Sequence, residues 1–340
     1  MAEKQHHHFV PRFYLRRFSG SDTPIHLYNI ARDEFFMQAS IRGQCQRSWL
    51  YGKDNQLENG FAQIESAAAL TLQRVSRTYR LPVFHSKESI ELLLYIVLQS
   101  VRTIKAADDT DAVVNSIHRF IISRTNESRH IDLARTTIGL NDPIAASLKG
   151  AASTPLLLDL FATVLVTKSR RSSFITSDHP VVKHNIYLEV ATEVGNRGFS
   201  SRGLIIYYPI DSHCAILLYD PMIYILPAAR PFASTIVTAR DIAQLNLLQT
   251  INAGSSLYFG DKRMCDEIRK TASEAATWRG NNVPVQEIRN PSTPNKVLGY
   301  LPDSCPNIGL TLSFLSLRPD VRTRSLLNRV NNRFRPHSTD

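Results

Sequence analysis

The spacing of the hydrophobic residues changes near the middle of the chain, at Arg170 and Arg171. Before this point, apolar residues recur at intervals of three and four, which is the periodicity of amphipathic helices. After it, short runs rich in β-branched and aromatic residues are separated by Pro and Asp, which is typical of antiparallel strands joined by turns. The sequence therefore predicts an α+β fold, with a helical N-terminal half packed on a mostly antiparallel β-sheet formed largely by the C-terminal half.

Both patterns can be assigned to approximate elements. Helices are predicted at about residues 57–79, 86–107, 108–124, 131–137, 154–167, 238–252 and 261–276. Strands are predicted at about residues 25–29, 34–37, 173–176, 203–210, 213–219, 222–226 and 255–259. Thr154 followed by Pro155 is an N-terminal helix signal, and Thr238 with Asp241 predicts a capping arrangement at the start of another helix.

The composition is that of an ordinary folded protein, with 43% hydrophobic and 21% charged residues. Its 340 residues are enough for one large domain or two smaller ones. We expect a single α+β domain over residues 1–278. Residues 279–340 are rich in Asn, Pro and Ser at first and in Arg at the end, so we expect a loop-rich extension there.

Three observations predict a cytoplasmic protein without membrane association. The longest unbroken apolar run, Leu92 to Leu98, has seven residues, whereas a membrane-spanning helix needs about 20. Residues 1–13 lack the apolar centre of a secretory signal. The four cysteines are scattered and form no CxxC pair, which disfavours a zinc knuckle and a disulfide framework.

The chain is basic, with 40 Lys and Arg against 30 Asp and Glu and a net charge of +10. Such a balance favours a polyanionic partner, most often nucleic acid, although it also occurs for reasons unrelated to a partner. Residues 318–335 carry six arginines and one acidic residue. This tail is either a short amphipathic helix, through Val321, Leu326 and Val330, or a flexible basic arm, and a solvated run of charges is its simplest interpretation.

Three consecutive histidines, His6 to His8, precede an apolar stretch from Phe9 to Leu15. Imidazole binds divalent metals and exchanges protons near neutral pH. Since adjacent side chains of an extended chain point to opposite faces, we expect only one of His7 and His8 to enter a site directly. Arg12 is a candidate substrate-binding residue. The alternative is a polar lead-in to a buried aromatic segment.

Glu65 lies within the apolar stripe of its predicted helix. Around the helix axis, Phe61 is about 40° and Leu72 about 20° away from it. An isolated buried carboxylate is costly, so Glu65 must be paired, hydrogen-bonded, protonated or bound to a metal. A structural salt bridge with an arginine and a catalytic role are both compatible with this position.

Gln99 and Arg102 share one face of a helix that is apolar nearly all round and is therefore expected to be buried. Arg102 could pair with Glu65 or Asp178, or it could hold a phosphate through its planar guanidinium. The alternative is a core ion pair that only fixes helix packing.

The segment from Phe174 to Pro180 ends a predicted strand with Ser177, Asp178 and His179. A hydroxyl and a carboxylate at such a corner are common among functional residues, and we assign Ser177 and His179 to substrate binding. The alternative is an Asx-turn, in which Asp178 accepts hydrogen bonds from its own backbone.

Several catalytic signatures are absent from the sequence: GxxxxGK[ST], GxGxxG after a strand, GxSxG and HExxH. Their absence disfavours P-loop nucleotide hydrolysis, dinucleotide redox chemistry, α/β-hydrolase chemistry and zincin proteolysis. We therefore expect no nucleotide cofactor.

The order of these features resembles a bacterial family catalogued as domain of unknown function 4238. The chain from His7 to Phe18 is similar to the opening motif HHxVPxxYLxxF of that family. The resemblance extends over about residues 6–262. It continues through Glu58 and Glu65, the pair Gln99-x-x-Arg102, the turn Thr176-Ser177-Asp178-x-Pro180, and a late helix with Asn246. It implies a shared fold unit and a shared site, but no established reaction.

We expect the polar residues at apolar positions to meet in one pocket between the helices and the sheet. The candidate catalytic residues are His7, His8, Glu65, Gln99, Arg102 and Asp178. The chemistry that fits this set beside a basic surface is phosphodiester hydrolysis. In one version a divalent ion, Mg²⁺ or Mn²⁺, is held by His8, Glu65 and Asp178 and activates water. In a metal-free version histidine is the general base and arginine holds the phosphate.

The sequence thus predicts a nuclease, of the kind found in toxic or defence-type effectors, with nucleic acid as its partner. The alternative is a non-catalytic module that binds nucleic acid or protein, in which the polar centre is a structural network and the basic surface contacts phosphates.

Overall fold

The computed structural model describes residues 5–19, 24–53, 55–125, 142–169, 172–191, 195–226, 234–279, 286–289, 297–300 and 306–336. Within them the helices are α1 (Arg12–Leu15), α2 (Gln56–Thr78), α3 (Lys87–Val101), α4 (Ile104–Thr125), α5 (Pro143–Leu148), α6 (Ala239–Asn252), α7 (Cys265–Ala275), α8 (Pro319–Arg322) and α9 (Leu326–Asn331). A 3₁₀ helix at Lys149–Leu157 follows α5.

The strands are shorter than the main helices. They are β1 (His6–His8), β2 (Ile25–Asn29), β3 (Glu34–Ala39), β4 (Gln46–Ser48), β5 (Phe161–Val166), β6 (Thr176–Ser177), β7 (Val182–His184), β8 (Ile205–Asp211), β9 (Cys214–Tyr219), β10 (Tyr224–Ile225), β11 (Ser234–Ile236), β12 (Ser256–Phe259), β13 (Gln286–Arg289), β14 (Val297–Tyr300) and β15 (Ser316–Leu317).

Two sheets carry most of these strands. A five-stranded sheet has the order β11-β5-β9-β8-β7, and a four-stranded sheet has the order β3-β2-β12-β6. The pairings within them are antiparallel except for the parallel pair β11 and β5. Short antiparallel pairs join β1 to β4, β10 to β15 and β13 to β14. The predicted α+β fold, with its helical N-terminal half, is confirmed.

The five-stranded sheet is buried on both faces. Along β8, Ile206 and Tyr208 pack into a core that includes α2 and α3. Their neighbours Ile205 and Tyr207 point the other way, into a core that includes α6 and the segment 308–321. A third cluster lies between the four-stranded sheet and α7. Double burial explains why β8 and β9 are nearly continuous apolar runs.

A sharp corner separates α3 from α4, so the predicted helix 86–107 is in fact divided. The Thr103 hydroxyl accepts a hydrogen bond from the backbone N–H of Ala106 at 3.2 Å and so caps the start of α4. The Tyr51 hydroxyl donates to the carbonyl of Arg102 at 3.0 Å, and the Ser147 hydroxyl donates to the carbonyl of Val101. These bonds satisfy carbonyls that the end of α3 leaves without helical partners.

The predicted helix at 154–167 is wrong. Pro155 lies inside the 3₁₀ helix rather than at the start of an α-helix, and residues after 160 form β5. A short apolar run cannot be assigned to helix or strand by periodicity alone, and here Thr163, Val164 and Val166 favour the strand. In contrast, the capping box of Thr238 and Asp241 at α6 is confirmed. The predicted helix at 131–137 lies outside the described residues.

The C-terminal segment folds back onto the second core. Leu310, Phe314 and Val321 are buried there, and β15 pairs with β10. Arg335 is 4% exposed and donates to the carbonyls of Ser201 and Phe199. Within residues 306–336 the basic tail is therefore packed as two short helices, α8 and α9, rather than extended as an arm. Among the described helices, none combines the length and apolar character required to cross a membrane.

Candidate functional site

The three histidines form β1, and its alternation separates His7 from His8. The β1–β4 ladder pairs His8 with Gln46 and His7 with Arg47. His7 is fully buried and stacks on Tyr51, with 5.7 Å between ring centroids. The backbone N–H of Tyr51 donates to His7 Nδ1 at 3.1 Å, so the proton is on Nε2, which donates to Asn55 at 2.9 Å. Both ring nitrogens of His7 are thus engaged in holding the loop before α2.

His8 lies half-buried on the other face of β1. Its Nδ1 is 3.2 Å from the carbonyl oxygen of Gln44, and since a carbonyl only accepts, Nδ1 carries the proton. Nε2 therefore bears a lone pair. Burial lowers the pKa of His8 to about 4, and the positive charges of Arg12 and Arg102 contribute to the shift. His8 is consequently neutral at pH 7, and the exposed Arg12 is near enough for its charge to act on the ring.

Glu65, Gln99 and Arg102 meet, as the helical spacing predicts. Arg102 donates through Nη1 to Glu65 at 2.7 Å and through Nε to Gln99 at 3.1 Å. The Gln99 amide donates in turn to the carbonyl of Phe9 at 2.9 Å. This network joins α2, α3 and the chain that immediately follows His8, so it fixes the position of the strand that carries His8.

The Arg102 side chain is completely buried, whereas the Glu65 side chain remains 24% exposed. Burial is the largest single influence and opposes the charged form of Arg102, but Glu65, Tyr51 and Tyr95 together outweigh it, and the pKa of Arg102 is raised. The guanidinium also lies over the ring of Phe61, 5.6 Å from its centroid. Nη2 has no hydrogen-bond partner among the described residues, and it is shielded from solvent. In this conformation Arg102 acts on its surroundings through its charge and its two bonded nitrogens.

Asp178 closes a turn between α6 and β12. Its carboxylate accepts three hydrogen bonds of 2.8 Å, from the backbone N–H groups of Gly254 and Ser255 and from the Ser255 hydroxyl. A side chain at position 254 would bring its Cβ to 2.9 Å from an Asp178 oxygen, so glycine is required for this approach. These bonds match the structural alternative for Asp178, with partners remote in sequence rather than in its own turn.

Ser177 and His179 are held in the same segment. The Ser177 hydroxyl accepts from the backbone N–H of His179 at 3.0 Å and from the Gln249 amide at 2.6 Å. His179 Nδ1 is 2.5 Å from the hydroxyl of Thr103. Burial lowers the pKa of His179 to about 3, with Lys105 the next cause, so this ring is neutral as well. The turn is therefore fastened to the α3–α4 corner beside Arg102.

Sequence reasoning assigned no role to the residues that fasten this turn, although Tyr14 and Asn246 lie within the family resemblance. Asn246, Gln249 and Asn252 follow one another at intervals of three along α6 and all bond to the segment 173–181. Tyr14 donates to the carbonyl of Pro209 at 2.6 Å and lies 2.7 Å from the hydroxyl of Thr176, which links the opening motif to the turn. Amide side chains repeated on one face of a buried helix were the signal available for the first group.

The predicted site residues thus form two groups. His8, Arg12, Glu65, Gln99 and Arg102 belong to the first, which we call the His8 cluster, and Ser177, Asp178 and His179 belong to the second, the Asp178 turn. Tyr258 and Gln44 lie between them: the Tyr258 hydroxyl donates to Gln44 at 3.3 Å, and Asp178 contributes to a raised pKa of Tyr258, mainly caused by burial.

No group of three His, Cys, Asp or Glu side chains within the described ranges is placed to hold a metal ion. Glu65 is engaged with Arg102 and Asp178 with the 254–255 turn. The divalent ion expected at His8, Glu65 and Asp178 therefore stays a prediction, and no catalytic step is derived through it.

Comparison with known protein families shows to which family the chain belongs. The family described as "Protein of unknown function (DUF4238)" matches residues 6–263. The chain belongs to this family. The match to DUF4238 begins at the histidine strand β1 and ends shortly after β12, so it includes both the His8 cluster and the Asp178 turn. Searches among curated proteins and among solved structures give no match.

Proposed function

We propose that the protein is a nuclease that cleaves phosphodiester bonds, with His8 as the general base. The observation that carries the proposal is the state of His8: a neutral imidazole whose Nδ1–H is fixed by Gln44, leaving a basic Nε2 beside the exposed Arg12. A base and a cation side by side are what attack on a phosphodiester requires.

In the proposed reaction, His8 Nε2 takes a proton from a water molecule as its oxygen bonds to phosphorus. The bond from phosphorus to the leaving ester oxygen breaks, and that oxygen takes a proton from solvent. Arg12 binds the non-bridging phosphate oxygens through its guanidinium. Glu65, Gln99 and Arg102 are positioning residues, because they hold the chain at Phe9 and reach no solvent-exposed atom of His8.

A bound phosphate also adjusts the basicity of His8. The pKa of about 4 makes free His8 a weak base, and Arg12 is the second-largest cause of that value after burial. A phosphate anion on Arg12 offsets the positive charge and raises the pKa of His8 toward the working pH, where general bases are most effective. Substrate binding and base strength are thereby coupled in the proposal.

The test compares purified wild type with His8→Gln on labelled RNA and DNA, with Mg²⁺, with Mn²⁺ and with a chelator. His8→Gln should lower the cleavage rate by about 100-fold or more, the usual contribution of a general base. His6→Gln is the matched control, because His6 lies on the same strand, its side chain bonds only the Ser48 hydroxyl, at 3.4 Å, among the described residues, and it is the smallest of the causes that shift the pKa of His8. It should leave the rate within about threefold. Absent cleavage by wild type in every condition, or equal rates for His8→Gln and wild type, would contradict the proposal.

A second function is favoured by the Asp178 turn. Asp178, Ser177 and His179 make hydrogen bonds that hold the fold together, as a non-catalytic nucleic-acid- or protein-binding module would require. The same assay separates the two functions when it is joined to a filter-binding salt titration. Binding that weakens with salt, without cleavage in any condition, would favour the module.

The nuclease proposal includes a cytoplasmic location and a toxic or defence-type role. The free thiols of Cys45, Cys214 and Cys265 support a reducing compartment. Induced expression in a bacterial host tests the role: wild type should arrest growth and His8→Gln should not. Equal growth of both cultures, at equal protein levels, would remove the toxic role.

A further inference from the structure

A broad groove lies over the four-stranded sheet, next to the His8 cluster. Its volume is about 680 Å³, within the range of ligand sites. Phe36 and Met37 of β3, Leu27 of β2 and Ser256 of β12 line it, together with Gln44 from the loop before β4. The proposed cleavage step gives this groove no role, and its lining is only partly covered by the core.

The groove borders both groups of predicted site residues. The carbonyl of Gln44 accepts the hydrogen bond that fixes His8. The carbonyl of Ser256 accepts from the backbone N–H of Asp178 at 3.1 Å. The groove therefore borders the residues that hold His8 and Asp178 in place.

The lining combines three kinds of side chain. Phe36 is half-buried and Met37 is 45% exposed, so both offer apolar surface to a ligand. Asn29 supplies an amide group, whereas the Gln44 amide is engaged with Ser40 and Tyr258, and Arg32 lies exposed in the turn after β2. Aromatic surface on which bases stack, amides that reach base edges and a cation for the backbone are the features of single-strand binding sites.

The charge around the groove agrees with an anionic ligand. Asp33, next to Arg32, is compensated by Arg269 at 3.2 Å and accepts from the Tyr28 hydroxyl at 2.8 Å. The whole chain carries +10. Duplex bases are stacked inside their helix and cannot lie on Phe36, whereas the bases of a single strand can.

We propose that this groove binds a short single-stranded segment of nucleic acid, with a base stacked on Phe36 and a phosphate at Arg32. The inference rests on the proposed nuclease function and names the form of its substrate. It assigns substrate selection to the four-stranded sheet and bond cleavage to β1.

The test measures fluorescence anisotropy of a fluorescein-labelled oligothymidine of about twelve nucleotides, a length typical of single-strand sites. The full chain carries His8→Gln, so that cleavage does not consume the probe. Phe36→Leu keeps an apolar side chain but removes the ring, and it should weaken binding about tenfold. Phe36→Tyr keeps the ring and should bind within about twofold of the parent.

Arg32→Glu provides a variant at an exposed position, so loss of folding does not confuse the result. Its matched control is Lys87→Glu, which changes the net charge equally, at a side chain 90% exposed at the start of α3. Arg32→Glu should weaken binding about fivefold or more, and Lys87→Glu less than about twofold. Equal effects of the two reversals would mean that only overall charge matters and would overturn the groove proposal.

Further outcomes test the groove proposal and distinguish it from the nuclease proposal. Absent binding at low salt, or a duplex bound as tightly as the single strand, would overturn the groove. Cleavage of single strands by wild type that Phe36→Leu leaves unchanged would overturn the groove and leave the nuclease standing. Binding that depends on Phe36 without any cleavage would support the groove and remove the nuclease.

Discussion

The His8 cluster and the Asp178 turn contain the same kinds of residue but use them differently. His179 and His8 are both neutral, and Asp178 and Glu65 are both hydrogen-bonded carboxylates. In the turn, the oxygens of Ser177 and Asp178 are bonded to the fold, and His179 Nδ1 lies 2.5 Å from the Thr103 hydroxyl. In the His8 cluster, a basic nitrogen remains beside an exposed arginine. A histidine near the surface and close to a cation is therefore a better candidate chemical group than one buried in the fold, since His8 is half-buried and His179 is only 8% exposed.

The largest expected effect is the loss of stability in acid. Burial lowers the pKa of His8 to about 4 and that of His179 to about 3 from an ordinary value of 6.5. Below pH 6.5 these two histidines bind protons in the unfolded chain but stay neutral in the folded chain. The contribution of these two histidines to the free energy of unfolding is therefore fully present above pH 6.5. It decreases between pH 6.5 and about 4 because of both residues, and between about 4 and about 3 because of His179 alone. His179 contributes up to about 1.4 kcal/mol per pH unit, and His8 contributes less because it is half-buried and solvent screens its charge.

Urea unfolding at a series of pH values measures this slope, and the difference between wild type and His179→Gln isolates one histidine from the carboxylates. His179→Gln should remove the larger share, since His179 is only 8% exposed and His8 is half-buried. A difference curve that is flat between pH 6.5 and about 4 would show that His179 is not held neutral by burial.

The second effect is the difference in stability between variants of the Asp178 turn and of the His8 cluster. Asp178→Ala removes the acceptor of three hydrogen bonds and should lower the free energy of unfolding by about 2 kcal/mol. His8→Gln should lower it by less than about 1 kcal/mol, because the ring makes one hydrogen bond to the described fold. Denaturant unfolding measures both, with Asp266→Asn as an exposed control. If His8→Gln were the more destabilising variant, the two regions would not differ as described.

The smallest effect concerns the basicity of His8. Arg12→Gln removes the second-largest cause of the lowered value and should raise the pKa of His8 from about 4 toward 6.5 without reaching it, because burial remains. NMR titration of the ring follows the change, and stability should be unaltered within about 0.5 kcal/mol. Arg16→Gln, at another exposed arginine of the same segment, should leave the pKa unchanged. Equal shifts in both variants would show that Arg12 has no particular relation to His8.

The parts of the fold and site that could be predicted are those that depend on local spacing. Glu65 and Arg102 stand out because helical periodicity places a charge inside an apolar stripe, and the two do pair. The division into a helical half and a strand half follows from the same periodicities. The corner at Thr103 was hidden because no Gly or Pro interrupts residues 86–107 to indicate that one helix ends and another begins.

Other contacts depend on residues far apart in sequence. His8 bonds to Gln44, and Asp178 accepts bonds from Gly254 and Ser255. These bonds connect segments 36 to 77 residues apart, so no local sequence pattern predicts them. The same holds for the two histidines, because Tyr51 and Asn55 engage both nitrogens of His7 whereas Gln44 engages one nitrogen of His8. The strand β5 was misassigned because its burial on both faces erased the alternation that identifies strands.

The C-terminal segment has a practical consequence for anyone dividing the chain. The DUF4238 match ends at residue 263, but Leu310, Phe314 and Val321 cover one face of the five-stranded sheet. A fragment ending at the family boundary would expose that sheet face to water and would invite association between copies. The smallest unit that keeps this sheet face covered therefore includes the residues through Arg335, whose side chain ties the segment to the chain around Ser201.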